Sequence, residues 1–194
     1  MSTLNVAALQ DVDAAGSKAT LPITGSNFTL GPGWGAWEFV SSASITVVTN
    51  LDSQLMAAGY DYQVSVRGAA PVSDGVDLQA QVFQSTSIVT GSVYADAAAV
   101  NSTSIRIMNA VGFVATEGCS TDILFLDPNS TGFNKPVMPT GRLEFTNAGI
   151  SGITSSTGGA YVGNTNACDG LRLFWSSGNW QAQGKIVVFR RRLS

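Results

Sequence analysis

The sequence predicts an all-β protein: an antiparallel, jelly-roll-like β-sandwich over residues 38–194, preceded by an irregular N-terminal arm over residues 1–37. Three observations predict it. Separate segments along the chain alternate apolar and polar residues with the period of a strand. Clusters of Gly, Pro, Asp, Asn and Ser stand between those segments as turn signals. No segment sustains a long helical period.

The arm comes first. "ALQDVDAAGSKATLPITGSNFTLGPGWGAW" (8–37) carries Pro22, Pro32 and glycines at 25, 31, 33 and 35, which suits a wrapping segment rather than a domain. Trp34, Trp37 and Phe39 are placed to pin it onto a sheet. Strands are expected over 44–51, 60–68, 76–85, 104–111, 121–127, 141–147, 170–176 and 184–190. In 60–67, Tyr60, Tyr62, Val64 and Val66 share one face, and Asp61, Gln63, Ser65 and Arg67 share the other. One face buried and one wet is the pattern of an antiparallel sheet. "LDSQLMAAGY" (51–60) reads as the best short helix, with Asp52 or Ser53 as N-cap and Gly59 as stop. "YADAAAV" (94–100) reads as a weaker helix or a loop. Pro71-Val72-Ser73-Asp74-Gly75 reads as a tight reversal. Asp127 to Gly132 opens a loop expected to run to Pro136 and Pro139. Residues 148–166 form a long Gly/Ser/Thr-rich loop in which Gly158 and Gly159 suit positive φ.

Composition narrows the function. Hydrophobic residues make up 44% of the 194, enough for a core, whereas charged residues make up only 12%, about half the usual share. The polar surface therefore comes from neutral side chains, which suit packed assemblies or sugar contacts better than electrostatic recognition. Net charge is −3, and Arg190, Arg191 and Arg192 fall short of a nucleic-acid footprint. They read as a solvated tail or as a clamp onto an acidic neighbour. No basic start leads into an apolar stretch, and no apolar run is long enough to span a bilayer. Cytosolic synthesis without membrane insertion is expected.

The chain contains no histidine, which removes Ser-His-Asp and Cys-His nucleophiles and His-ligated zinc. No phosphate-cradling glycine motif is present. Cys119 and Cys168 are expected as buried free thiols, with a single bridge as the alternative. Asp74 with Asp77, Asp122 with Asp127, and Glu117 are the carboxylates a glycosidase would need, but they read as turn formers and solvated strand residues. Asp127, Asn129, Ser130 and Asn134 offer oxygens in one loop without EF-hand spacing, so neither metal nor cofactor is expected. Trp175 shares parity with Leu171 and Leu173 and is assigned to the core. Trp180 follows Gly178-Asn179 in a polar turn, and both a core place and an exposed contact stay open for it. The candidate contact residues are thus Trp34, Trp37, Asn179, Trp180, Arg190, Arg191 and Arg192.

Two stretches together resemble a known module. "YDYQVSVRGAAPVSDGVDLQAQVFQ" (60–84) carries an aromatic strand and a Pro-x-x-Asp-Gly turn at Pro71, Asp74 and Gly75. "NACDGLRLFWSSGNWQAQGKIVVFRRR" (166–192) carries an aromatic-Ser-Ser-Gly-Asn hairpin at Trp175 to Asn179, with Gly184 beyond it. The pair resembles a β-sandwich module of structural proteins of tailed bacteriophages, of the tail and tail-fibre type. The end departs from that pattern, with Phe189-Arg190-Arg191-Arg192 where Tyr-Gly is usual, and residues 86–165 carry no resemblance. The resemblance implies a non-enzymatic virion protein assembled in the host cytoplasm. Its partners would be copies of itself, as a trimer, other virion proteins, and a host-surface glycan held by loops 127–139 and 148–166. Two alternatives remain. The absence of a fibrous stalk suits a capsid decoration (cement) protein anchored by the arm, and the neutral surface suits a free-standing carbohydrate-binding lectin.

Overall fold

The alternating segments resolve into two stacked antiparallel sheets. The computed structural model describes residues 10–12, 18–20, 37–54, 56–96, 100–111, 118–144 and 157–193. Its contacts divide the chain into Met1–Ala36 with Ser194, and Trp37–Leu193. In the first unit, β1 (Gln10–Val12) and β2 (Lys18–Thr20) form an antiparallel pair, so the arm holds a small ladder where irregular chain was expected.

The second unit holds the sandwich. Its strands are β3 (Glu38–Ser44), β4 (Asn50–Gln54), β5 (Tyr60–Ala69), β6 (Val76–Gln84), β7 (Ser87–Ile88), β8 (Tyr94–Asp96) and β9 (Val100–Ser102). There follow β10 (Ile105–Val111), β11 (Gly118–Phe125), β12 (Lys135–Glu144), β13 (Gly159–Tyr161), β14 (Gly170–Trp175) and β15 (Lys185–Arg192). The large sheet runs β3-β15-β5-β11-β12-β13-β8-β9, and the small sheet runs β10-β6-β14-β4 with β7 on β6. No helix occurs among the described residues.

Side-chain parity explains the core. Tyr62, Val64 and Val66 of β5 face inward with Cys119, Ile123 and Phe125 of β11 and Val137 of β12. From the small sheet, Leu78, Ala80 and Val82 of β6 meet them beside Leu171, Leu173 and Trp175 of β14 and Ile105 of β10. Each fully buried Leu, Ile or Val of this set contributes roughly 1.5–3 kcal/mol.

Several sequence expectations are corrected. Residues 51–54 are strand, not helix: Leu51 lies opposite Leu173 in the ladder of β4 with β14. A turn or two of helix is marginal, whereas the ladder satisfies the same backbone groups and places Leu51 against the core. The strand expected over 44–51 breaks at 45–49, where the chain steps from the large sheet to the small one. Tyr94–Asp96 and Val100–Ser102 are strands. The loop after Asp127 ends at Asn134, and Pro136 and Pro139 lie inside β12. Among the described residues no strand pairs the side of β12 away from β11 past Val137, the side on which Pro139 is tolerated without loss of a ladder bond. Within 148–166, Gly159–Tyr161 is a strand, and residues 148–156 lie outside the described residues.

The turn at 71–75 and the "WSSGNW" stretch are not hairpins. β5 and β6 lie in different sheets, and so do β14 and β15. Both connections are crossings, and a third, 45–49, joins β3 to β4. All three meet. Val72 N–H donates to Asn179 O at 2.9 Å, Gln181 N–H to Ala70 O at 2.9 Å, and Trp180 N–H to Val48 O at 2.8 Å. A bridge pairs Pro71 with Trp180.

Candidate functional site

Trp180 is fully buried where these crossings meet, its ring centroid 4.7 Å from that of Trp175. It is therefore a core residue and is withdrawn as a contact candidate. The polar residues around it mark a turn in sequence, but 45–49 and 70–72 close over it. Asn179 is half-buried, and its Oδ1 accepts from Thr49 Oγ1 at 3.1 Å. It ties two crossings together. Trp34 lies outside the described residues.

The solvated-tail reading is corrected for Arg190 and Arg191, but not for Arg192, which is exposed. The three arginines are the last residues of β15, paired through the backbone with Tyr62, Asp61 and Tyr60. Arg190 Nε donates to Glu38 at 3.0 Å and its guanidinium lies 4.4 Å from the Tyr60 ring centre. The Glu38 hydrogen bond raises the Arg190 pKa further. Arg191 Nη2 donates to Asp61 at 2.6 Å and stacks 5.1 Å from Trp37. Asp61 is buried and also accepts the Asp127 backbone N–H at 2.9 Å. The acidic partners of Arg190 and Arg191 thus lie within the chain itself. Trp37 and Arg191 are the two candidates the fold brings into contact.

Among the described residues, two of the carboxylates considered for catalysis, Asp77 and Asp122, stand beside arginines. Arg106 Nε lies 3.3 Å from Asp77, and Arg67 and the Ser65 hydroxyl both donate to Asp122. Asp74 is exposed in its turn, and Glu117 lies outside the described residues. Among the described residues no group of three or more Cys, Asp or Glu side chains is placed to hold a metal. A shallow groove of about 210 Å³ runs between β3 and β4, and among the described residues that line it Asp52 is the one titratable group. Arg172 grips both oxygens of that carboxylate at 2.8 Å. Cys119 and Cys168 are free and buried, as expected. Burial pushes the Cys119 thiol up to about 12 and Cys168 up to about 11, so neither is a thiolate near neutrality. The two loops proposed for glycan are tied to each other: buried Lys135 donates to Phe133 O at 2.6 Å and to Thr165 O at 3.3 Å. Cys168 N–H donates to Pro128 O at 2.7 Å.

One surface stands apart. On the outer face of the large sheet, Phe39 lies opposite Phe189, Phe189 opposite Gln63, Gln63 opposite Leu124, and Leu124 opposite Met138. Directly opposed residues share a face. These five therefore form one row across five strands, with only Gln63 polar. Phe39 is 63% exposed and Met138 40%, with the three between them half-buried. The Phe39 and Phe189 rings meet edge to face at 6.3 Å. The next row, Ser42, Val187, Ser65, Asp122 and Thr140, is mostly polar. The small sheet's outer face differs, with Asp52, Asp77, Gln79, Gln81, Arg106 and Arg172 outward. The row went unread in the sequence because it depends on register between distant strands. One local signal was available: "KIVVF" is apolar at both parities, with Ile186 and Val188 inward and Val187 and Phe189 outward.

No protein-family model, no curated protein and no solved structure matches this chain.

Proposed function

We propose that this chain is a non-enzymatic structural protein of a tailed-bacteriophage virion, an oligomeric β-sandwich of the tail region that works by packing against other copies and other virion proteins. The exposed apolar row of the large sheet carries the reading. An apolar centre with a polar margin is how protein interfaces are built. The charge-poor surface, with Asp61, Asp122 and Glu38 neutralised inside the chain, fits dense packing rather than steering of a charged ligand. The phage resemblance supports the virion setting. Its two stretches, far apart in sequence, become adjoining strands and crossings joined by the Pro71–Trp180 bridge, so they read as one module.

Immunogold electron microscopy of intact particles with antibody against this chain tests the reading. Label on the tail is the expected result. Label over the head would transfer the chain to capsid decoration. No label on intact or lysed particles would overturn the virion reading.

A further inference from the structure

We infer that the outer face of the large sheet docks a second copy of this chain, row against row, about a two-fold axis lying in the plane between the two faces. The inference rests on the assembly reading and gives it a partner and a contact. A single face that meets its own copy makes an isologous contact, and an isologous contact closes as a dimer.

Charge favours a copy as the occupant. The charged groups in the rows beside the apolar one are Asp122, Asp61 and Arg191. Asp122 is neutralised by Arg67, and Asp61 pairs with Arg191. Superposing the face on itself therefore brings no net like charge together. Lys185, exposed, stands two rows from Phe189 along β15, at the rim. A strongly charged partner would find no complement in the centre of this face.

Area sets the strength. Five strands about 4.8 Å apart and three rows about 6.7 Å apart outline roughly 450–500 Å² per copy. Two copies bury about 1,000 Å², the lower bound of a specific interface. Sheets of this kind pack aligned at about 10 Å, a spacing that lets Phe39, Phe189, Leu124 and Met138 interdigitate with a second set. Such a contact is weak in solution and gains strength where copies are held together in an assembly.

The edge strand is not the docking element. The ladder of β3 with β15 slips between Val188 and Phe189, leaving Val40 as an extra residue on β3. A bulge of this kind twists an edge away from strand addition.

Sedimentation equilibrium of the full chain tests the inference. Wild type is expected to form a dimer with a Kd on the order of 100 µM. Phe39→Asp and Met138→Asp each weaken it at least tenfold. Val47→Asp, an exposed site in the 45–49 crossing, leaves it unchanged. Circular dichroism checks that each variant folds, and Met138, on another strand, keeps the test readable should Phe39→Asp unfold. A monomer up to about 1 mM, a trimer, or a dimer indifferent to both aspartates would overturn the inference. Particle labelling is unaffected by these results, so the contact and the virion reading can fail separately.

Discussion

Trp180→Ala is expected to destabilise the sandwich by about 3–5 kcal/mol, the range for emptying a buried tryptophan site. Trp180 is fully buried, lies 4.7 Å from Trp175 and closes the junction of three crossings. Part of that loss is the ring pair, worth about 0.5–1.5 kcal/mol. The same site holds a penalty. Among the described residues neither the Trp180 nor the Trp175 indole N–H finds an acceptor. A buried donor left unpaired costs about 1–3 kcal/mol. Trp180→Phe keeps most of the ring and removes one donor. It gives up about 40 Å² of apolar contact, roughly 1 kcal/mol. The two effects nearly cancel, so Trp180→Phe is expected within about 1 kcal/mol of wild type. Urea unfolding followed by circular dichroism measures both variants. If Trp180→Phe costs as much as Trp180→Ala, the N–H penalty is refuted. If Trp180→Ala costs under about 1 kcal/mol, Trp180 does not hold the crossings.

Three further outcomes follow from the same structure. Burial holds Cys119 and Cys168 neutral with raised pKa values, about 12 and about 11. The stability this contributes is complete below the unfolded thiol value of about 8.5 and is lost as pH climbs towards 12, at about 1.4 kcal/mol per unit for each thiol; pH-dependent unfolding should show the decline, and Cys119→Ala should flatten it. Gly159→Ala places a Cβ 2.1 Å from the Ala95 carbonyl oxygen and 2.9 Å from Asp96 Cα, both backbone atoms. It should cost about 2–3 kcal/mol, read as a lowered Tm, whereas Gly132→Ala, whose Cβ would lie 3.7 Å from Ser130 Oγ, an ordinary contact, should be neutral. Arg191→Ala leaves buried Asp61 without its cation and should cost about 2 kcal/mol, discounted from the fully buried case because Arg191 is partly exposed. Arg192→Ala should stay within about 0.5 kcal/mol; equal effects for the two arginines would restore the solvated-tail reading.

The sandwich was legible wherever one strand face is wet. Tyr60 to Arg67 and Val76 to Val82 announce both faces because the local period and the global layer agree. Legibility failed where long-range contacts decide. "LDSQL" fits a capped helical turn as well as a strand, and only pairing with Leu171 to Phe174 selects the strand. Gly178-Asn179 predicts a turn correctly, yet no local feature says that the turn crosses between sheets and buries Trp180. Gly158 has the expected positive φ of 61°, whereas Gly159 is required by the close approach of Ala95. The apolar row was the least legible feature, since Phe39 and Met138 stand 99 positions apart and meet one row only through three intervening strands.

Concentration-dependent hydroxyl-radical footprinting of the full chain tests the assembly face most directly. Oxidation of Phe39 and Met138 should fall together as concentration rises through the dimer range, while exposed Phe133, in the loop before β12, stays constant as the internal reference. Protection that does not change with concentration, or that develops instead at Phe174 on the small sheet, would contradict the account.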